Sequence, residues 1–160
     1  MTPVDTPDLL QLIGQYRAGL EAEMVLLHRL ESLAERQRHA SEQTDLEALA
    51  LVSDDRDRLM ASLVRIEHEL KPVRLMLLEG RTAIDKTPQF QDLVVLHRRA
   101  ADLVATIVGH DRDSLSALHE AELARRFAAR ALEQGENTLA AYRRVVAPSL
   151  AGATLVNRKG

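Results

Sequence analysis

Six side chains capable of acid–base or metal chemistry crowd into one short stretch: His110, Asp111, Asp113, His119, Glu120 and Glu122. His119 and Glu122 are three apart, so on a helix they share a face and could hold a divalent cation. Little else in the sequence builds on that start. The ferritin-like pairing of a glutamate three residues before a histidine is absent, because those positions are Val25, Arg36, Arg65, Val94, Ile107 and Ser116. There is no His-Glu-x-x-His zinc motif, no phosphate-binding glycine loop and no nucleophile elbow. The chain has no cysteine, which excludes disulfides, thiolate metal sites and cysteine nucleophiles and fits a reducing compartment. Charged residues on a long exposed helix usually face water. The sequence therefore points to no catalytic residue, no cofactor and no metal, and not to an enzyme.

The element that would carry this cluster is the longest in the chain. From Pro88 to Val146 the pattern is helical, with no further proline inside it. Apolar or small residues recur at Leu93, Ala100, Val104, Ile107, Leu118, Ala121, Ala128, Leu132, Leu139 and Tyr142, at gaps built from three, four and seven. An unbroken helix of that length would run roughly 85–90 Å, far more than one compact domain needs. Gly109 and Gly135 are the places where it could break, since glycine costs about 1 kcal/mol relative to alanine inside a helix. The seam is partly polar, with His97, Asp111, Ser114 and Arg125 on it, and such a helix wants a partner.

Two shorter helices precede it. Thr6-Pro7-Asp8 has the form of an N-cap, proline at the first helical position and an early acid, and opens a helix over about 7–39. Its stripe is Leu9, Ile13, Tyr16, Leu20, Leu27, Leu30 and Ala34, widened by Met24, Leu26 and Leu33, which suits a helix with two neighbours. Thr44-Asp45-Leu46-Glu47 reads as a capping box and starts a second helix over about 44–79. Its stripe is Leu49, Val52, Leu59, Leu63, Ile66, Leu70, Val73 and Leu77. Arg56 interrupts that stripe and is expected to snorkel. Pro72 predicts a kink, since the pattern resumes in phase beyond it, and Gly80 a C-cap. Thr87-Pro88 repeats the cap-then-proline signature.

The expected fold is therefore all-α: an antiparallel, coiled-coil-like bundle of three long helices. The third is longest and overruns the others from about Leu123. One domain spans 1–147, and Pro148 ends the helix before a flexible basic tail over 148–160. Composition agrees, with 2% aromatic residues, no Trp, seven Gly and five Pro in 160 residues. No apolar run approaches the ~20 residues of a membrane span, and the N-terminus is acidic, so the reading is a soluble cytoplasmic protein with no membrane insertion.

Charge divides the chain. From Arg125 onward seven basic residues face two acidic ones, a net of +5, while the whole chain carries −3 and the remainder therefore −8. Either the two ends meet different partners, or the arginines complement a helix C-terminus. The basic end lacks the aromatic platforms of single-strand binders and any helix-turn-helix spacing, so no nucleic-acid partner is expected.

In pattern, most of the chain resembles the FlgN-type flagellar export chaperones. The resemblance lies in YRAGLEAEMVLLHRLESL (Tyr16 to Leu33), a short connector, TDLEALALVSDDRDRLMASL (Thr44 to Leu63), one long helix, and the basic end VNRKG (Val156 to Gly160). The family's glycine-containing turn after a late tyrosine is not matched, since Arg143-Arg144 follows Tyr142 and glycine arrives only at Gly152. The resemblance implies a cytoplasmic chaperone that holds a helical segment of secreted hook–filament junction subunits and delivers it to the export apparatus. On that reading the partner-binding residues are Leu118, Leu132, Leu139, Tyr142 and Val145 as apolar anchors, with Arg125, Arg126, Arg143 and Arg144 steering an acidic partner. The alternative is a structural coiled-coil homodimer whose overrunning helices pair with each other.

Overall fold

In the computed structural model the backbone is described over residues 6–156 and the side chains over 8–141. These residues are almost entirely helical, with no strand among them. The helices are α1 (Thr6–Glu42), α2 (Leu46–Glu79), a single turn α3 (Arg81–Ile84) and α4 (Pro88–Val156). The chain divides into two units, Met1–Leu118 and His119–Gly160.

In the first unit α1, α2 and α4 pack together, and α1 is the most deeply buried. Two interleaved seven-residue series line its seam: Leu9, Tyr16, Glu23, Leu30 and Gln37, and Ile13, Leu20, Leu27, Ala34 and Ser41. All are buried except Gln37, which is half-buried. The expected stripe is present in full, and Leu33 joins it. A seven-residue repeat keeps one face turned to its neighbours along the whole helix. From α2, Val52, Leu70 and Leu77 are buried, while Leu59, Leu63, Ile66 and Val73 are only partly covered. From α4, Leu93, Ala100, Leu103, Ile107 and Ser114 are buried. Val104, expected in the seam, is instead 45% exposed, and Leu103 takes its place. The burial follows the series 93, 100, 107, 114, on which the polar Ser114 counts and Val104 does not.

The junctions correct two sequence expectations. Thr44 does not cap α2. It ends α1 with a φ of 55°, while its N–H bonds the Ser41 carbonyl at 3.2 Å and the Asp45 N–H bonds the Ala40 carbonyl at 2.9 Å. That pair of bonds is a Schellman closure with a threonine where glycine usually stands. Asp45 is therefore the N-cap of α2, its carboxylate accepting from the Ala48 N–H at 3.0 Å. Between Gly80 and Thr87, read as a plain connection, lies α3, which buries Ile84 in the core. Gly80 does close α2, with a φ of −90° rather than a left-handed one. Glycine is needed there because a Cβ would stand 2.5 Å from Leu9 Cδ2. Thr87 caps α4, its hydroxyl accepting from the Phe90 N–H at 3.3 Å and donating to the Ile84 carbonyl at 2.7 Å.

Three further features differ from or complete the sequence reading. Helix α2 continues through Pro72. Helix α4 is continuous through Gly109 and Gly135. It also runs past Val146 and Pro148 to Val156, so 148–156 is helix where a flexible tail was expected to begin at Pro148. A proline removes one N–H and crowds one carbonyl, at about 3 kcal/mol. Good helix formers such as Ala147, Leu150 and Ala151 flank Pro148 and support the helix on both sides. Residues 157–160 lie outside the described chain.

Arg56 does not snorkel. Its guanidinium donates to both oxygens of Asp111, at 2.5 and 3.0 Å, and to Gln37 Oε1 at 2.6 Å. One side chain thus joins α1, α2 and α4. The Asp111 hydrogen bond raises the pKa of Arg56 further, outweighing the burial that would lower it.

Candidate partner-binding surfaces

The residues singled out for partner binding lie almost wholly in the second unit. Leu118, half-buried, is the last residue of the first. Arg125, Leu132 and Leu139 follow it at seven-residue steps and so share its face of α4. Leu132 is 71% and Leu139 60% exposed, which leaves an uncovered apolar strip. Tyr142, Arg143, Arg144 and Val145 lie outside the residues whose side chains are described. Leu123 and the 68% exposed Phe127 project on a different face.

Arg125 and Arg126 are exposed but engaged. Arg125 donates to Glu122 through Nε at 2.9 Å and Nη2 at 3.0 Å, and Arg126 donates through Nε at 3.0 Å. The Arg125 bonds, then that of Arg126, hold the Glu122 carboxyl down to about 2. Glu122 is thereby committed to two guanidinium groups, which does not suit it to the metal pairing with His119. No three metal-ligating side chains gather at one point among the described residues.

A second surface, unforeseen in the sequence, lies in the first unit. A groove of about 540 Å³ has Tyr16, Leu20, Glu23 and Leu27 of α1 on its floor. Leu63, Val64, Glu67 and Arg74 of α2 form one wall, and His97, Ala100, Ala101 and Val104 of α4 the other. It exists because α2 and α4 both pack on α1 while their own facing apolar residues, Val64 and Val104, stay exposed.

The groove holds a network of charge. Arg74 donates through Nε to the Tyr16 hydroxyl at 2.9 Å, lies 5.6 Å from the centre of that ring, and pairs through Nη2 with Glu67 at 2.6 Å. Glu23 is only 7% exposed, and its Oε1 has no hydrogen-bond partner among the described residues. Its pKa is pushed up to about 7, first by burial, then by the hydrogen bond and like charge of Glu67, with Arg74 opposing. The signal for Glu23 was present in the sequence: it occupies the seam position seven residues from both Tyr16 and Leu30. Passing from Leu20 to Leu27 on apolar character alone skips it.

Compared with protein-family models, curated proteins and solved structures, the chain matches none of them. Among the described residues, no helix is long and apolar enough to cross a membrane. The class that the fold and surfaces define is thus an all-α helical bundle protein with exposed apolar helix surface.

Proposed function

We propose that this chain is a cytoplasmic export chaperone of the FlgN type, which binds a helical segment of a secreted flagellar hook–filament junction subunit and keeps it competent for export. In this reading the three long helices form an antiparallel bundle that α4 overruns, and the overrunning part grips the client. The observation that carries the proposal is the exposed strip of Leu132 and Leu139, in line with Leu118 and Arg125. An uncovered apolar strip on a helix takes an amphipathic partner helix through anchors spaced three, four and seven apart. Ordering the client on binding keeps affinity moderate and release feasible. The basic residues from Arg125 onward favour an acidic client or a docking surface on the export apparatus. The chemistry is non-covalent, with no cofactor and no catalytic residue.

The same strip supports a second reading. Seven-residue spacing also suits a two-stranded coiled coil, so a structural homodimer through two copies of this face is the alternative.

Light scattering coupled to chromatography on the full chain, alone and mixed with the C-terminal segment of a junction subunit, separates the two. A chaperone shifts to a stable complex with the segment. A paired variant, Leu132→Ala with Leu139→Ala, loses the complex while keeping its helicity, and deletion of Leu123–Gly160 does the same. A tight dimer indifferent to the segment overturns the chaperone reading. If the deletion unfolds the protein, the overrun arrangement itself is wrong.

A further inference from the structure

The apolar groove of the first unit is longer than its largest cavity. A second cavity of about 180 Å³, lined by Leu78, Phe90 and Val94, meets the first at Tyr16, Arg74 and His97. Together they form one channel over α1, walled by α2 from Leu63 to Leu78 and by α4 from Phe90 to Val104. Each wall is about four turns long, roughly 21–23 Å. Val64 and Leu78 on one wall and Val94 and Val104 on the other remain exposed. Three helices thus leave open the place that a fourth fills in a four-helix bundle.

The walls decide what kind of chain fits. Both are helices whose backbone groups are bonded within themselves, so they offer no edge to an extended peptide. An occupant lying along apolar walls must satisfy its own N–H and C=O groups, which a helix does. It must also present an apolar stripe to Val64, Val94 and Val104, through anchors spaced three, four and seven apart.

The rims decide the charge of that helix. Arg74 and Glu67 satisfy each other, and Glu23 lies beneath them with Oε1 closed to solvent. Lys71 is exposed and stands midway between Val64 and Leu78, seven residues from each and so on their face of α2. Arg98 is exposed on the outer shoulder of the other wall, four residues after Val94 and three before Ala101. Neither cation forms an ion pair among the described residues. The remaining acids along the two walls, Glu69 of α2 and Asp92 and Asp102 of α4, lie farther round their helices by spacing. The surplus charge on the channel is therefore positive, one cation to each rim.

We propose that this channel is a docking site for an acidic amphipathic helix of another protein, its apolar stripe on Val64, Val94 and Val104 and its flanking carboxylates on Lys71 and Arg98. A second copy is the poorer occupant. Two such channels set face to face bring cations against cations, and like charges across an interface oppose the pairing. The site lies wholly in the first unit and shares no residue with the strip of Leu118, Leu132 and Leu139. It goes beyond the chaperone reading and does not rest on it.

The test is fluorescence anisotropy of the full chain with a labelled, helix-stapled peptide of about four turns, roughly 15 residues. The peptide carries leucines at three-, four- and seven-residue spacing with glutamates on both flanks, and a control peptide has lysine at every glutamate. The acidic peptide is expected to bind with a Kd below about 100 μM, and the basic one at least about tenfold more weakly. Val64→Glu with Val104→Glu, both at exposed positions, should remove that binding. Lys71→Glu with Arg98→Glu should invert the preference between the peptides, which mere loss of structure would not do. Leu132→Ala with Leu139→Ala should change neither affinity. The proposal is overturned by an acidic peptide that binds no better than the basic one, by binding that the charge reversal leaves intact, or by binding that the Leu132 and Leu139 variant loses. Light scattering on the chain without peptide supplies the last outcome: a dimer that Val64→Glu with Val104→Glu dissolves makes a second copy the occupant and overturns it too. The client experiment reads the other unit, so either idea can fail without the other.

Discussion

The guanidinium of Arg56 on α2 and the carboxylate of Asp111 on α4 form a two-pronged ion pair, at 2.5 and 3.0 Å, inside the end of the bundle. Gln37 of α1 accepts from the same guanidinium, and the small buried Ser41 and Ser114 stand on the same seams. The contact ties side chains of three helices together at this level of the bundle. Removing one partner strands the other. Asp111→Ala and Arg56→Ala should each cost about 2–3 kcal/mol, below the figure for fully buried pairs because both side chains keep some exposure. Urea denaturation of the two single variants and the double variant measures this. A double variant no worse than either single one is expected, and fully additive losses would show that the two residues act independently.

Glu23 makes stability depend on pH in the direction opposite to most carboxylates. Its folded pKa of about 7 lies above the ordinary 4.5. Between those values the folded chain holds a proton that the unfolded chain has released. Stability is then highest below about pH 4.5 as far as this group is concerned, falls by at most about 1.4 kcal/mol per unit as pH rises, and levels off above 7. Glu23→Gln keeps the shape and removes the charge. It should be at least as stable as the natural chain at pH 8, with a flatter profile between pH 5 and 7. Urea midpoints at pH 5, 6, 7 and 8 report both. Parallel profiles for the two proteins would mean that Glu23 titrates normally.

Thr44 holds a left-handed backbone conformation that a β-branched residue adopts at a cost of about 1–2 kcal/mol. Thr44→Gly should relieve it, with a net gain of roughly 0.5–1 kcal/mol after the added freedom of the unfolded glycine. The midpoint of thermal unfolding should rise. A fall would mean that the hydroxyl or methyl contributes more than the strain costs.

Two glycines of α1 should respond oppositely to the same change. A Cβ at Gly14 meets nothing within 4 Å, so Gly14→Ala should stabilise by about 0.5–1 kcal/mol through helix propensity alone. A Cβ at Gly19 would overlap the side chain of Leu70, with Cγ at 2.9 Å. Leu70 is buried and has little room to move, so Gly19→Ala should lose stability despite the same propensity gain. Equal stabilisation at both positions would show that α1 and α2 pack less closely at Gly19 than the structure has them.

The sequence by itself determined that the chain is helical and roughly where the long helices begin, because the spacing of apolar residues and the cap-then-proline start at Thr87 are local properties; the end expected at Pro148 was misplaced, since α4 runs on to Val156. It also determined the core face of α1, whose stripe is buried as read. What it did not disclose were the polar members of that face. These are Glu23 and Gln37; on α4 the polar seam residues Asp111 and Ser114 were legible by their spacing, yet whether such a residue turns to water or is buried depends on what the neighbouring helix offers. Arg56 illustrates this: an arginine on a stripe ordinarily reaches for solvent, and only the arrival of Asp111 from a helix 55 residues away turned it inward. Thr44 is similar on a smaller scale, since a capping-box pattern and a Schellman closure compete for the same residues, and the path of the chain between α1 and α2 decided between them. The groove around Glu23 belongs to the tertiary structure alone, because it is made of the separation of two helices that share a third, a quantity no single helix encodes.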